Sequence, residues 1–340
     1  TSPTARSGSI YVGNEFDVSE KWQVNSGIAL TGFNQTNDWF GGVEPRFSVR
    51  FKVNDRISLK ANYTRMYQYL HLASNSGASL PTDLWYPSNK TVRPQISDQV
   101  AASFSISLWD DQLFLSNEYY YKNMQRQIDL KDGASFFVNN SIDTVFVFGR
   151  GWAYGTEIYL EKKKGKLTGW IGYTLSYTWR QFQAINNGEA FHPRYDRRHD
   201  ISVVGIYKLA PRWNLSATWV YGTGNAISLP ESRFFYQDIG GTQDPMALFT
   251  VVPLVKNRNS FRMEASHRID FGLVYKLKPR WGEADLTFSV YNGYNRKNPF
   301  FIYFETVTEN LDGTGRILGF KAKQVSLFPL IPSITYNFRF

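Results

Sequence analysis

Between Trp170 and Trp179 the chain alternates without a break. Ile171, Tyr173, Leu175, Tyr177 and Trp179 fall on one side, and Gly172, Thr174, Ser176 and Thr178 on the other. Successive side chains of a strand point to opposite faces, so this segment reads as a strand with one wholly apolar face and one small, polar face. The pattern recurs along the chain. Phe47, Val49, Phe51 and Val53 alternate with Arg46, Ser48, Arg50 and Lys52; Ile57, Leu59, Ala61 and Tyr63 alternate with Arg56, Ser58, Lys60 and Asn62. Phe104, Ile106 and Leu108 alternate with Ser103, Ser105 and Ser107, and Ile269, Phe271, Leu273 and Tyr275 follow the same rule. A β-sandwich also alternates, so alternation alone leaves sandwich and membrane wall both open.

Composition and strand length favour the wall. The 340 residues hold 26 Phe, 21 Tyr and 10 Trp, or 17% aromatic, yet mean hydropathy is −0.37. Many large rings on a hydrophilic average suit a surface divided between lipid and water. No run of about 18 apolar residues occurs, which excludes a transmembrane helix. Thr1 to Gly8 carries no apolar core of a signal peptide, so an exported protein would have lost its leader. The lack of cysteine fits an oxidising route without requiring one. The net charge of +9 raises a nucleic-acid reading, but the basic residues are scattered over strands and turns. A basic surface also suits anionic lipopolysaccharide or an anionic solute, so no nucleic-acid partner is expected.

The connections sort into two sets. Short ones fall at Ser19-Glu20-Lys21, Asn54-Asp55, Asp110-Asp111, Lys163–Lys166, Ala210-Pro211-Arg212 and Lys278-Pro279-Arg280. Long ones are expected at 36–44, 75–94, 133–147, 186–199, 225–265 and 306–318. Tight turns at one end and long loops at the other is the outer-membrane arrangement, turns periplasmic and loops extracellular. About thirteen strands result, near 7–19, 22–35, 45–54, 56–74, 95–110, 112–132, 148–163, 167–185, 200–210, 213–225, 266–278, 283–305 and 319–340. Several exceed the roughly 10 residues that cross a bilayer and would project as a collar. The expected class is therefore all-β, a single transmembrane antiparallel β-barrel domain over 1–340, with the C-terminus periplasmic. Single-chain bacterial barrels have an even strand number. An odd count implies either a missed strand or a missing N-terminal part.

The last strand ends Ser333-Ile334-Thr335-Tyr336-Asn337-Phe338-Arg339-Phe340. Ile334, Tyr336, Phe338 and Phe340 share a face, and a terminal aromatic there resembles the signal read by the barrel assembly machinery. The segment Ser326–Ile334 resembles the close of TonB-dependent receptors of the Bacteroidetes type. Tyr291–Phe300, Pro193–Asp200 and His267-Arg268-Ile269-Asp270 are similar to segments of late barrel strands in that family. The resemblance covers about the last 150 residues. It implies a 22-stranded outer-membrane barrel with an N-terminal plug, importing a scarce solute with energy delivered by TonB. The solute would be a siderophore, metal complex, peptide or glycan. No segment here resembles the plug or a TonB box, so the chain is expected to be approximately strands 10 to 22, a C-terminal portion of a larger receptor. Its implied partners are outer-membrane lipid and lipopolysaccharide, the remaining strands and plug, TonB through the N-terminal part, the assembly machinery and a surface lipoprotein.

No catalytic constellation stands out, and no cofactor or metal is called for. His71, His192, His199 and His267 lack a zinc-type spacing. Trp109-Asp110-Asp111 reads as a charged turn, and Leu311–Gly315 lacks a calcium-loop ligand ladder. Arg194, Tyr195, Arg197, Arg198 and His199 are candidate ligand contacts, since Arg pairs grip carboxylates or phosphates. The other reading is that these charges pair among themselves and fix the top of a strand. Tyr119-Tyr120-Tyr121 and Phe300–Phe304 break alternation and read as girdle rings, with solute stacking as the alternative. Import leads the functional readings. A complete passive channel of 12–14 strands and a barrel-wall enzyme are the alternatives, and the enzyme lacks a Ser-His or Asp-His pair aimed at one rim.

Overall fold

The structure, a computed structural model, describes residues 4–36, 38–74, 83–131, 145–237, 249–311 and 314–340. Thirteen strands form one antiparallel sheet. They are β1 (Ala5–Asp17), β2 (Trp22–Gln35), β3 (Asp38–Lys52), β4 (Ile57–Gln68), β5 (Gln95–Leu108), β6 (Leu113–Leu130) and β7 (Phe146–Lys162). The second half comprises β8 (Leu167–Phe182), β9 (His199–Ala210), β10 (Trp213–Gly222), β11 (Ser266–Leu277), β12 (Glu283–Tyr291) and β13 (Ile331–Arg339). Each strand pairs with the next, so sheet order follows chain order from β1 to β13. The thirteen expected strands are all present.

Register turns thirteen local alternations into two continuous surfaces. Across one face runs Ile57, Ile106, Leu115, Leu160, Ile171, Val203, Trp219 and Ile269, each paired directly with the next. Across the other runs Lys60, Ser103, Glu118, Glu157, Thr174 and Asp200. A slip of one residue in any strand would put its apolar set among the charges. Rings gather at both ends of the apolar face. Trp22 packs on Phe51 and Trp213 on Tyr275, each with centroids 4.5 Å apart. Farther along, Tyr154 stacks on Tyr177 at 5.2 Å and Trp179 meets His192 at 3.8 Å. Tyr119 and Tyr121 lie on this face, both exposed.

Among the described residues, two buried apolar clusters form at the end bearing the long connections, where the ends of β6, β7 and β8 meet those connections: Val92, Ile128, Leu130, Val145 and Phe146 in one, Val147, Phe182, Ile185 and Phe191 in the other. Three side hairpins stand there too, Leu70–Ser74 with Asp83–Pro87, Ser232–Gln237 with Phe249–Leu254, and Phe301–Leu311 with Thr314–Val325. The opposite end carries only tight turns, and β13 finishes there beside Glu283.

β1 and β13 are the two edges of the sheet and do not pair with each other among the described residues. Every residue of both is exposed. Such edges present rows of unpaired backbone groups that would recruit another strand.

Several expected boundaries move. The segment 36–44 is not a long loop: β3 begins at Asp38, and Gly41 and Gly42 pair with Gly32 and Thr31. Its polar, glycine-rich composition resembles a loop, but continuous pairing with β2 holds it as strand. The expected strand 283–305 stops at Tyr291, because buried Asn292 turns the chain with φ of 53° and ties it to Arg296 and Phe328. The rings Phe300, Phe301 and Tyr303 therefore belong to the outer strap and hairpin, not to a wall girdle. The strand 319–340 likewise splits into a hairpin arm and β13, and 56–74 splits at Tyr69. Parts of the expected connections 75–94, 133–147, 225–265 and 306–318 lie outside the described residues.

Candidate functional site

The connection between β8 and β9 folds back along the top of β8. Arg180 and Phe191 exchange backbone hydrogen bonds, and the Ser176 amide donates to the Arg198 carbonyl at 3.0 Å. This brings Asp196, 1% exposed, under the rim. Its Oδ1 accepts from the Thr178 amide at 2.9 Å. Its Oδ2 pairs with Arg262 and lies 3.5 Å from His192 Nδ1 and 3.9 Å from Arg198 Nη2. Arg262 also donates to the carbonyls of Asp196 at 2.7 Å and Gly224 at 3.2 Å. One buried carboxylate thus holds two loops together, and a second pair, Arg258 with Asp129 at 2.7 Å, ties the β10–β11 connection to the end of β6. Asp196 and Arg262 are 66 residues apart and carry no motif that marks them as a pair.

Above this clamp lies a cavity of about 390 Å³. Arg194, Tyr195 and Arg197 line it from the β8–β9 connection, Thr223 to Asn225 with Met263 and Glu264 from the β10–β11 connection, and Pro299 and Phe300 from the segment after β12. The approach of the second connection to itself is tight: a Cβ on Gly224 would sit 1.9 Å from the Met263 carbonyl oxygen, so only glycine fits. The Arg197 guanidinium lies 3.4 Å from Asp200 Oδ2 and over Gly222. Asp200 and Gly222 belong to the polar face, paired with Thr174 and with each other. The cavity therefore opens on the polar side of the wall, at the end with the long loops.

The five candidate contacts separate. Arg194, Tyr195 and Arg197 line the cavity. Arg198 instead lies over the Tyr177 ring at 3.8 Å, and His199 Nδ1 is 3.0 Å from the Tyr173 hydroxyl, both on the apolar side. Neighbours Arg194 and Tyr195 fall together on one side and neighbours Arg198 and His199 together on the other, so the turn of the connection, and not strand alternation, makes the split. Gly224 and Met263, which the sequence did not mark, come from another connection and share no spacing with Arg194, while Phe300, marked as a girdle ring with solute stacking as the alternative, lines the cavity from a third.

The other marked residues fall as follows. Ile171, Tyr173, Leu175, Tyr177 and Trp179 share the apolar face of β8. Ile334, Tyr336 and Phe338 share that face on edge strand β13, paired with Phe288, Leu286 and Ala284, and Phe340 follows beyond the last pair. All four are exposed. In the hairpin outside the wall, His71 is fully buried with Nε2 2.8 Å from Ser88 Oγ, and burial pushes its imidazole down to about 4. Among the described residues no three His, Asp or Glu side chains gather as metal ligands.

A sequence profile described as "TonB dependent receptor-like, beta-barrel" matches residues 1–292. Among solved structures, the chain is similar to the ferric-catecholate import receptor Fiu of E. coli K12, at 14% identity and a TM-score of 0.56 over 87% of this chain and 41% of that one. It is similar to the ferripyoverdine receptor of Pseudomonas aeruginosa at 14% identity and 0.56, covering 87% and 36%. The ferric citrate transporter FecA in its unliganded form gives 12% and 0.56, covering 98% and 44%. At such identity the likeness is one of fold. The chain spans less than half the length of these three receptors. No curated protein matches it in sequence.

Proposed function

The chain belongs to the TonB dependent receptor-like β-barrel family of the outer membrane, and on that premise we propose that it is the C-terminal wall, approximately strands 10 to 22, of a receptor that imports a scarce solute with energy from TonB. The observation that carries the proposal is the register. It collects apolar residues on one surface and polar residues on the other across the sheet, and leaves β1 and β13 uncovered. The apolar surface, with Ile171, Tyr173, Leu175, Tyr177 and Trp179, meets lipid, while the polar surface lines a lumen. The turn end and Phe340 are then periplasmic, and the loop end is extracellular. Further strands of the same receptor cover the two edges, with its plug inside. The terminal segments Ser326–Ile334 and Tyr291–Phe300 support the Bacteroidetes type.

The remaining partners follow from the surfaces. Lipopolysaccharide meets the rim above the outer rings, the assembly machinery reads Ile334, Tyr336, Phe338 and Phe340, and a surface lipoprotein caps the loops. The solute is a siderophore, metal complex, peptide or glycan. The test is uptake in cells carrying the full-length gene, measured with TonB present, with TonB deleted and with the proton gradient collapsed. Uptake lost in both deficient states supports import. Uptake that survives both would make the barrel a passive channel.

A further inference from the structure

We propose that the turn end of the polar face is a basic lip that docks an acidic outer surface of the receptor's own plug. The proposal rests on the import reading, in which a plug fills the lumen, and it names the charge that the plug presents there. Three like-charge pairs carry it. Arg50 on β3 lies directly opposite Lys60 on β4. The Lys208 amide donates to the Lys166 carbonyl, and the Lys276 amide to the Arg212 carbonyl, at 2.9 Å each. These bonds continue the ladders of Leu167 with Tyr207 and of Trp213 with Tyr275, so Lys166 faces Lys208 and Arg212 faces Lys276. Lys60 stands in the polar row with Ser103 and Glu118. Lys208 and Lys276 are an even number of residues from Asp200 and Asp270, so alternation puts them on the polar face too.

Like charges directly opposite each other destabilise a sheet. Among the described residues, none of these six side chains forms an ion pair. Five of them are exposed, and the sixth, Arg50, has a buried Nε without a hydrogen-bond partner. Two carboxylates share their rows without pairing. Ser103 separates Glu118 from Lys60, and Asp285, opposite Lys276, accepts instead from Thr287 at 3.1 Å and Asn337 at 2.9 Å. A cavity of about 900 Å³ opens beside Arg212 and Lys276, where Lys278 and Arg339 add two cations against the carboxylates of Glu283 and Asp285. Lys60 is three residues above the start of β4, roughly 8 Å inside the rim at about 3.3 Å per residue and a tilt of about 40°. A partner must therefore enter the lumen, and lipid lies against the opposite face. Strands stand about 4.8 Å apart, so the six steps from β4 to β10 span roughly 29 Å. A small anion reaches one pair, whereas a folded domain in the lumen meets all three. Its carboxylates turn the repulsion within each pair into attraction across the interface.

The experiment uses the full-length receptor purified in detergent and a water-soluble carbodiimide, which joins an amine to a carboxylate in direct contact. Mass spectrometry of the cross-linked peptides should find Lys208 and Lys276 joined to Asp or Glu of the plug. Hydrogen exchange of the plug amides then reads the strength of docking. Raising salt from about 0.05 M to about 0.5 M screens exposed pairs and should speed that exchange roughly tenfold. With Lys60→Gln, Lys208→Gln and Lys276→Gln combined, exchange should be faster at low salt and respond less to added salt. All three substitutions are at exposed side chains, and thermal unfolding checks that the barrel is kept. If the combined variant fails to fold, cross-linking and the salt response of the unaltered receptor still decide. Cross-links only to carboxylates of the wall, to a separate co-purifying protein or to nothing overturn the proposal, as does plug exchange that ignores salt. The import reading is judged separately by TonB-dependent uptake. Missing plug cross-links beside energised uptake sink only this surface, and plug cross-links beside passive uptake sink only the import reading.

Discussion

A single arginine placed at two depths on β8 tests which surface meets hydrocarbon and where the middle of the band lies. Leu167 is the first residue of β8, at the turn end. At about 3.3 Å per residue and a tilt of about 40°, four residues climb roughly 10 Å and eight climb roughly 20 Å. An apolar band about 25 Å tall has its middle about 12 Å up. Ile171 is then near the middle and Leu175 near the upper interface. Their neighbours agree: Ile171 pairs with Leu160 and Val203, but Leu175 pairs with Thr156 and His199. Ile171→Arg should therefore cost about 2–4 kcal/mol and Leu175→Arg about 0–1 kcal/mol. Thr174→Arg, on the polar face, should cost less than Ile171→Arg. The assay is reversible folding of the full-length receptor into lipid vesicles in urea, followed by tryptophan fluorescence. If Leu175→Arg costs as much as Ile171→Arg, the depth assignment fails. If Thr174→Arg is the costliest of the three, the two faces are exchanged.

Three further outcomes follow from the rim, the side hairpin and the last strand. Asp196→Ala strands Arg262 beneath the cavity; removing one partner of a buried pair costs about 3–5 kcal/mol, and Arg262, at 28% side-chain exposure and with two carbonyl partners left, puts the expected loss at the low end, so an unfolding loss under about 1 kcal/mol would show the clamp to be idle. His71 binds a proton less readily in the folded hairpin, at about 4, than in the open chain, at 6.5. Hairpin stability is therefore full above 6.5, falls by up to about 1.4 kcal/mol per pH unit toward 4, and then levels. Hydrogen exchange across Leu70–Pro87 should show this, His71→Gln should flatten it, and pH-independent protection would refute it. Deleting Phe340, which follows the last ladder pair, should change unfolding free energy within about 0.5–3 kcal/mol while lowering insertion in cells far more; normal insertion would leave it an ordinary exposed ring.

The faces of this wall were legible because side-chain alternation is local. Whether Ile171 and Thr174 oppose each other depends only on the pleat, so thirteen strands and their apolar sides followed from the sequence. Where strands end was less legible, because pairing decides it. Gly41 and Gly42 look like loop residues and are held in β3 by Gly32 and Thr31. The rings after Pro299 look like a continuing strand, yet Asn292 has already turned the chain with hydrogen bonds to Arg296 and Phe328. The rim was the least legible part. The sequence offered Arg194 to His199 as one set of contacts, and the fold split it, three residues toward the cavity and two over the rings of β8. Asp196 gains its role only when Arg262 arrives from another loop, and Arg197 meets Phe300 across one cavity only when three connections close over the same strand ends. Local periodicity can fix which way a side chain points, but a buried ion pair or a shared cavity depends on distances between distant parts of the chain, and those exist only in the folded wall.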